Sequence, residues 1–220
     1  INTSDGSIDA TFDLGPAFVE TLGHTVSGTL FVKPNGNILA SGDFTVSGNQ
    51  ISGLIEVNPS GTLNANFNIG TGFKGNGYVN KIQEVASGKI LIAGAFDTVD
   101  GIVKRGIARL NADGTLDATF NSGGEGFGLN SIIRTYAIQA DGKIIVGGKF
   151  NSYSVLHNIN LIRLNADGSI DTTFAPVTEF YSSYIQGFVN PMVNSIAVQN
   201  DNKIVIAGAF VIFNGVSKKN

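Results

Sequence analysis

The phrase Asn111-Ala112-Asp113-Gly114-Thr115-Leu116-Asp117 places oxygen-bearing side chains at alternate positions, as a calcium-binding EF-hand loop does. In that register, however, Arg109 would be the first ligand and Phe120 the last, and neither side chain offers an oxygen to Ca²⁺. A turn in which Asp and Asn bond their own backbone explains the phrase better, and we expect Asp117 and Asp171 to complete that turn. The sequence therefore predicts no metal site here.

A second candidate, Gly70-Thr71-Gly72-Phe73-Lys74-Gly75, matches the glycine spacing of a dinucleotide-binding loop. Such a loop needs a following helix, because the helix N-terminus receives the phosphates. Here the residues from Tyr78 onward alternate like a strand. We predict a connecting loop and no cofactor.

The remaining reactive side chains are few. The two histidines, His24 and His157, have no Cys or acidic residue near them in sequence, so no pair of nucleophile and base is recognisable and we predict that the protein is not an enzyme. Arg109 and Arg163 recur at equivalent positions and could form a ring of binding groups. Exposed strand charges that aid solubility, or that pair with neighbouring aspartates, are favoured over such a ring.

These residues lie within a sequence that repeats itself. A phrase of the form Asp-Gly-Ser/Thr-Ile/Leu-Asp-Ala/Thr-Thr-Phe, with Gly114 and Gly168 in its turn, is intact in three copies and weakened in the second, which reads Ser-Gly-Thr-Leu-Asn-Ala-Asn-Phe. The four copies end at phenylalanines spaced by 55, 53 and 54 residues: Phe12, Phe67, Phe120 and Phe174. A second set of phenylalanines ends short apolar runs: Phe44, Phe96, Phe150 and Phe210. Self-similarity at this period is typical of repeat architectures.

Each repeat predicts four antiparallel strands. A short β-branched run such as Ile144 to Phe150 indicates a strand buried on both faces, and Asp141-Gly142 before it indicates a hairpin turn. A third strand, Asn160 to Leu164, and a short fourth strand ending in Thr-Phe follow. Because a lone sheet would expose two apolar faces, we predict an all-β fold, a β-propeller of stacked blades, with a β-solenoid as the alternative.

The repeats form one domain over residues 1–220. We divide it into a blade end at 1–12, repeats at 13–67, 68–120 and 121–174, and a partial repeat at 175–220. Both ends cut through a unit, so we expect a segment of a longer array and a larger polypeptide or assembly.

Composition excludes several classes of partner. The net charge is -3 and no Lys/Arg run occurs, which argues against nucleic acid. The longest apolar stretch, 204–213, is too short for a membrane-spanning helix. There is no Cys, which rules out disulfides and leaves the compartment open.

The repeats resemble the bacterial delta-60 family through Gln139 to Ile144 with Gly147 and Phe150, then Arg163 to Gly168 and Asp171 to Phe174. The likeness covers nearly the whole chain. It implies propeller-like tandem repeats in secreted or surface proteins, a location outside the cell or on its outer surface, and no catalytic residues to carry over.

The segment whose length departs from the repeat is the best candidate for a functional site. From Phe174 to Phe210 there are 36 residues, against 30 from Phe120 to Phe150 and 29 from Phe67 to Phe96. This longer connection carries Phe180, Tyr181, Tyr184 and Phe188, and we expect it on the same face as Tyr153 and His157. Aromatic residues on loops of a rigid scaffold are typical of binding surfaces. Equally, these rings could close a wider gap between blades.

We therefore expect a non-catalytic extracellular or cell-surface module that binds a protein or glycan, in adhesion or surface assembly. A purely structural spacer is the alternative. A propeller hydrolase, such as a glycosidase or lactonase, is disfavoured because the predicted innermost strands contribute few ionisable groups, chiefly Arg134.

Overall fold

A computed structural model describes residues 4–15, 18–20, 28–46, 49–154, 156–157, 160–174, 180–181, 191–210, 212–213 and 216–217. Only the backbone is described for 18–20, 43–46, 49–52, 156–157, 180–181, 212–213 and 216–217. This part of the chain is β structure with one short 3-10 turn, Ala86–Gly88. Within these ranges no helix is long and apolar enough to cross a membrane.

The described strands are short and follow one another closely along the chain. In order they are β1 (Phe18–Glu20), β2 (Leu30–Val32), β3 (Ile38–Val46), β4 (Asn49–Val57), β5 (Phe73–Lys74), β6 (Tyr78–Glu84), β7 (Ile90–Ala95), β8 (Thr98–Val99), β9 (Ile102–Val103), β10 (Ile107–Leu110), β11 (Ile132–Ile138), β12 (Ile144–Lys149), β13 (Ser152–Tyr153), β14 (Leu156–His157), β15 (Leu161–Leu164), β16 (Phe180–Tyr181), β17 (Met192–Val198), β18 (Ile204–Ala209), β19 (Ile212–Phe213) and β20 (Val216–Ser217).

Four antiparallel sheets recur along the chain, and each is called a blade below. Blade 1 is β2, β3 and β4, with β1 paired to the end of β3; blade 2 is β6, β7 and β10; blade 3 is β11, β12 and β15; and blade 4 is β17 and β18. The second strand of every blade is the apolar run recognised in the sequence. The prediction of an all-β repeat fold is confirmed.

The predicted fourth strand is smaller than expected. In blades 1 to 3 it is reduced to one bridge to the third strand, made by Leu63, Leu116 and Ile170. The backbone leaves the ladder because an aspartate side chain accepts the N–H of the residue two positions later. Asp117 Oδ1 accepts the Thr119 N–H at 3.0 Å, and Asp171 Oδ1 accepts the Thr173 N–H at 3.0 Å. The phrase is largely a turn motif, and the short fourth strand that the sequence predicts pairs with the third strand through this single bridge.

The core consists of apolar layers between consecutive blades. Along β7, Ile90 and Ile92 pack into the layer shared with blade 1, whereas Leu91 and Ala93 pack into the layer shared with blade 3. All four are at most 1% exposed. Burying a side chain of the size of Leu or Ile contributes about 1.5–3 kcal/mol, so each blade depends on both neighbours for much of its stability.

The first strands of blades 2, 3 and 4 share a β-bulge, which follows Val79, Ile133 and Val193 respectively. A glycine two residues before the phenylalanine that ends each apolar run faces the bulge, namely Gly94, Gly148 and Gly208. A Cβ at any of these positions would collide with the first strand's backbone carbonyl. The glycines therefore keep the first and second strands in register around the bulge.

Consecutive repeats are also joined through their backbones. The phenylalanines that end the repeated phrase, Phe12, Phe67, Phe120 and Phe174, are called the closing phenylalanines. The residue after each of the first three donates its N–H to a carbonyl in the next repeat's turn: Asp13 to Ser60 at 2.9 Å, Asn68 to Asp113 at 2.8 Å, and Asn121 to Asp167 at 2.7 Å. We call these three bonds the junction bonds. The next residue of each turn is a glycine with positive φ, at Gly61, Gly114 and Gly168. The neighbouring repeat lies where a Cβ would be.

The closing phenylalanines share one local conformation. Each donates its N–H to the carbonyl three residues earlier, at 3.3 Å for Phe12, 3.1 Å for Phe67, 3.2 Å for Phe120 and 3.1 Å for Phe174. Their burial differs, since Phe120 is 1% exposed between blades 2 and 3 whereas Phe12 is 38% exposed. No described sheet precedes blade 1 to cover Phe12.

Candidate functional site

Two kinds of connection meet at one end of the blades. One kind joins consecutive blades, and the other joins the second and third strands of the same blade. β5 lies in the connection between blades 1 and 2. It pairs with β8, which precedes the third strand of blade 2 and also pairs with β9. Phe127 bridges Tyr153 in the same way, and β16 pairs with β19. We call this end, comprising 97–106, 121–131, 151–154, 156–157 and 180–181, the loop face. Where the two kinds of connection are described, they pair with each other at this end.

The register of β16 identifies the position of Phe180 in the repeat. Phe180 pairs with Phe213, three residues after Phe210, just as Phe73 pairs with Val99 and Phe127 with Tyr153. Phe73 and Phe127 are buried, and their ring centroids lie 5.1 Å and 4.6 Å from those of Phe96 and Phe150. Phe180 therefore occupies a position that belongs to the repeat framework.

The extra residues of this connection lie after β16. Phe180 and Met192 are 12 positions apart, whereas Phe73 and Tyr78, and likewise Phe127 and Ile132, are 5 apart. Tyr181 lies in β16 opposite Ile212. Tyr184 and Phe188 lie outside the described residues, and their role in binding stays a prediction.

Tyr153 lies in the core, which corrects its assignment to an exposed surface. It is 1% exposed, its ring packs edge-on to Phe127 at 4.8 Å, and its hydroxyl donates to the Gly168 carbonyl at 2.6 Å. Burial, with a smaller contribution from the Asp167 charge, raises the pKa of this hydroxyl well above its ordinary value. His157 pairs with Ser152 through its backbone in β14, and its side chain is not described.

A cleft of about 350 Å³ opens on the loop face between blades 3 and 4. Polar and apolar side chains share its walls, which are formed by Leu129, Asn130, Ser131, Lys149, Phe150, Asn151, Asn160 and Pro191. Pro191 is the last residue before β17, so the cleft borders the longer connection. The sequence pattern indicated that connection but assigned none of these eight residues to a binding site.

The cleft combines fixed and exposed groups. Asn160 is 3% exposed and has a left-handed backbone, with φ of 63°, at the position where blade 2 has Gly106. Its Oδ1 accepts the Phe150 N–H at 3.0 Å, which fixes the amide at the base of the cleft. Leu129 is 66% exposed at the rim, and Asn151 is exposed beside it. Amide groups that donate and accept thus lie next to apolar surface.

A smaller cavity of about 170 Å³ lies between blades 2 and 3, and its lining includes Val85, Leu91, Ile138 and Ile144. Arg109 closes it on one side. The Arg109 guanidinium lies 4.9 Å from the Phe120 ring centroid and donates to the Ala166 carbonyl at 2.8 Å. Because the Arg109 guanidinium already bonds to the protein, this cavity has few polar groups left to bind a ligand.

The recurring arginines pair with neighbouring aspartates, which is one of the two roles expected of them from the sequence. Asp117 Oδ2 accepts hydrogen bonds from Lys89 Nζ and Arg109 Nε, both at 2.7 Å. Asp171 repeats the arrangement with Lys143 at 2.9 Å and Arg163 at 2.7 Å. These are called the aspartate clusters.

The pKa values of both aspartates reflect these contacts. Burial opposes ionisation of Asp117, but hydrogen bonds from Lys89, Thr119 and Arg109 outweigh it and hold its pKa well below the ordinary value. Hydrogen bonds from Thr173 and Lys143 lower the pKa of Asp171 in the same direction. Carboxylates held ionised in this way are poor proton acceptors at neutral pH.

Blade 1 contains a charge-exchanged version of the cluster. Glu56 stands at the arginine position and Asn64 at the aspartate position, and the Asn64 amide donates to Glu56 at 3.2 Å. Lys33 supplies the cation, with its Nζ 3.2 Å from Glu56 Oε2. Blades 1, 2 and 3 thus all have a polar contact between these two repeat positions, although the residue that carries the negative charge differs.

The other motifs also have structural roles. Asp113 Oδ1 accepts the N–H and hydroxyl of Thr115 at 3.0 Å and 2.7 Å, which confirms a self-bonded turn. The glycine segment 70–75 contains β5 and is followed by β6, so it is a connection between blades. Within the described ranges no three His, Asp or Glu side chains gather to hold a metal.

Two buried polar residues were not anticipated from the sequence. Tyr136 is fully buried and its hydroxyl donates to the Leu91 carbonyl at 2.9 Å, across blades 2 and 3. Lys104, 6% exposed, donates to the carbonyls of Phe120, Asn121 and Gly124 at 3.3, 2.7 and 3.1 Å. Burial lowers the pKa of Lys104. Tyr136 does not recur in the repeat, and Lys104 has a counterpart in the sequence only at Lys218, eight residues after Phe210.

Tandem antiparallel blades, packed face to face with variable connections at one end, define a β-propeller repeat protein. A family model described as a domain of unknown function (DUF5122) beta-propeller matches residues 33–67, 86–120, 139–174 and 199–220, and the chain belongs to this family. Three of the matched segments end at Phe67, Phe120 and Phe174. No curated protein matches the chain.

Proposed function

We propose that this protein is a non-catalytic binding module of the bacterial cell surface or extracellular space, which engages a protein or glycan partner through the cleft on the loop face. The proposal rests on the cleft itself, because its walls combine amide and apolar side chains and it borders the lengthened connection. Resemblance to delta-60 repeats, which occur in secreted and surface proteins, supports the location and a role in adhesion or surface assembly.

The chemistry of the cleft favours a glycan as the first ligand to test. Sugar hydroxyls both donate and accept hydrogen bonds, and the amides of Asn130 and Asn151 can do the same. Leu129 and Pro191 offer apolar surface for the C–H face of a sugar ring. A few placed polar groups within an apolar wall are typical of small-ligand sites.

Binding without catalysis is favoured by the state of the carboxylates. Asp117 and Asp171 are committed to the aspartate clusters, and Glu56 is held by Lys33 and Asn64. A hydrolase would need carboxylates that can take up or release a proton beside a substrate.

The test is binding of the purified 220-residue protein to an array of bacterial and animal glycans. We expect binding to at least one glycan, and about tenfold or greater weakening in the double variant Leu129→Ala/Asn151→Ala, since one such loss corresponds to about 1.4 kcal/mol. Ile102→Ala is the matched control, because Ile102 is an exposed apolar residue of the loop face on blade 2. Equal loss in the control, or full binding by the double variant, would contradict the assignment of the cleft.

A structural spacer is the second candidate, and the register of Phe180 favours it. If Phe180 packs as Phe73 and Phe127 do, part of the aromatic content of the connection serves the core. Absence of binding to the glycan array and to a panel of bacterial surface proteins would support the spacer.

A further inference from the structure

The sequence contains three Asn-Gly pairs, which are Asn35-Gly36, Asn76-Gly77 and Asn214-Gly215. In this dipeptide the asparagine side chain is open to attack by the next backbone nitrogen, because glycine has no Cβ to hinder the approach. The third pair lies outside the described residues. In the first two pairs the asparagine is exposed and the glycine half-buried, so accessibility does not distinguish them. Their hydrogen bonds do.

The fold holds Asn35 against such an attack. The Gly36 N–H, whose nitrogen would have to bond to the Asn35 side chain, donates to the Lys33 carbonyl at 2.9 Å. The Asn35 Oδ1 in turn accepts the Asn37 N–H at 3.0 Å. Because the attack requires loss of the Gly36 amide proton and approach of the nitrogen to Asn35 Cγ, both hydrogen bonds oppose it.

Asn76 lies between β5 and β6 without these restraints. Within the described ranges, neither the Gly77 N–H nor the Asn76 amide has a hydrogen-bond partner. The space around Gly77 is open as well, since a Cβ there would meet only the Phe73 carbonyl oxygen, at 3.8 Å. At the equivalent position before β11, by contrast, the Ser131 N–H donates to the Gly128 carbonyl at 3.2 Å.

We propose that Asn76 is a site of spontaneous deamidation in the folded protein. The Gly77 nitrogen bonds to Asn76 Cγ, the bond from Cγ to the amide nitrogen breaks, and ammonia leaves with the proton from Gly77. Water then opens the resulting cyclic succinimide at either carbonyl, which gives aspartate or isoaspartate. Water is the co-reactant, and electrons are neither gained nor lost.

The product changes the charge at the loop-face end of blade 2. A neutral amide becomes a carboxylate, and isoaspartate also adds one carbon to the backbone. The Asp97 carboxylate already lies against the preceding residue, since a Cβ at Gly75 would be 2.5 Å from Asp97 Oδ2. The modified protein therefore carries an additional negative charge in the connection that pairs with β8, and anion-exchange chromatography should separate it.

The test is peptide mapping by mass spectrometry after incubation of the 220-residue protein at physiological temperature and mildly alkaline pH. We expect conversion of Asn76 to be about tenfold faster than conversion of Asn35. A tenfold factor corresponds to about 1.4 kcal/mol, which is the order of one backbone hydrogen bond. The tryptic peptide 75–81 also contains Asn80, whose amide donates to the Ile133 carbonyl at 2.7 Å, and Asn80 should stay unmodified.

Unfolding the protein separates the effect of the fold from that of the dipeptide. In guanidinium chloride Gly36 loses its hydrogen bond, so Asn35 and Asn76 should convert at similar rates. The variant Asn76→Gln should lose the acidic form that arises from this site, because glutamine would have to close a larger ring. Equal rates at Asn35 and Asn76 in the folded protein, no conversion of Asn76, or a difference that persists in guanidinium chloride would each overturn the proposal.

Discussion

Replacing Gly168 with alanine tests whether the turn glycines hold neighbouring blades together. Gly168 has φ of 82°, and a Cβ there would lie 2.8 Å from the Asn121 backbone nitrogen and 2.9 Å from the Phe120 ring. Gly101 provides the matched control, since its φ is 74° and nothing lies within 4 Å of its Cβ position. Both substitutions introduce the same backbone strain. Only Gly168→Ala also forces blade 2 away from blade 3.

The expected magnitudes follow from these two effects. Left-handed backbone costs alanine about 1–2 kcal/mol, so Gly101→Ala should lower the free energy of unfolding by about 1–2 kcal/mol. Overpacking adds about 1–3 kcal/mol, which gives about 2–5 kcal/mol for Gly168→Ala. Urea denaturation followed by far-UV circular dichroism measures both values. Equal losses in the two variants would refute the idea that close approach of the preceding repeat is what requires glycine.

Three further predictions concern the buried polar groups. Tyr136→Phe removes the cross-blade hydrogen bond and should cost about 1–2 kcal/mol in urea denaturation; unchanged stability would contradict a role in joining blades. The pKa values of Asp117 and Asp171 are depressed in the fold, so the stability they contribute is present above the unfolded value of about 3.9 and is lost as pH falls further. Unfolding measured from neutral to acidic pH should therefore show a smaller acid-induced loss in Asp117→Asn/Asp171→Asn, and an equal loss would count against the clusters. Lys104→Met leaves three carbonyls without their donor, and amide exchange within 121–126 should accelerate at least about tenfold; wild-type rates would show that the ammonium does not order this loop.

Local patterns predicted most of the blade framework. The apolar run from Ile144 to Phe150 identified a central strand because a strand buried on both faces has no polar alternation. Asp141-Gly142 identified the hairpin turn because glycine tolerates positive φ. The junction bonds were not predictable, since they join backbones of different repeats.

The loop face was harder to predict than the blades. The equivalence of Phe73, Phe127 and Phe180 depends on strand pairing across a connection, and spacing alone obscures it because Phe127 follows its closing phenylalanine by 7 residues and the other two by 6. Tyr153 was assigned to the surface because its strand pairing, too, is not visible in the spacing of residues along the sequence. In the sequence Tyr153 is an aromatic residue within a loop segment, but pairing with Phe127 buries it.

The junction bonds bear on how such arrays evolve. Each joins only adjacent units and uses backbone atoms at a position where any residue but proline can donate. Duplicating or deleting one whole unit would therefore recreate an intact joint at the new boundary without compensating substitutions. Gene-level changes in copy number could thus lengthen or shorten the protein while every seam stays chemically the same.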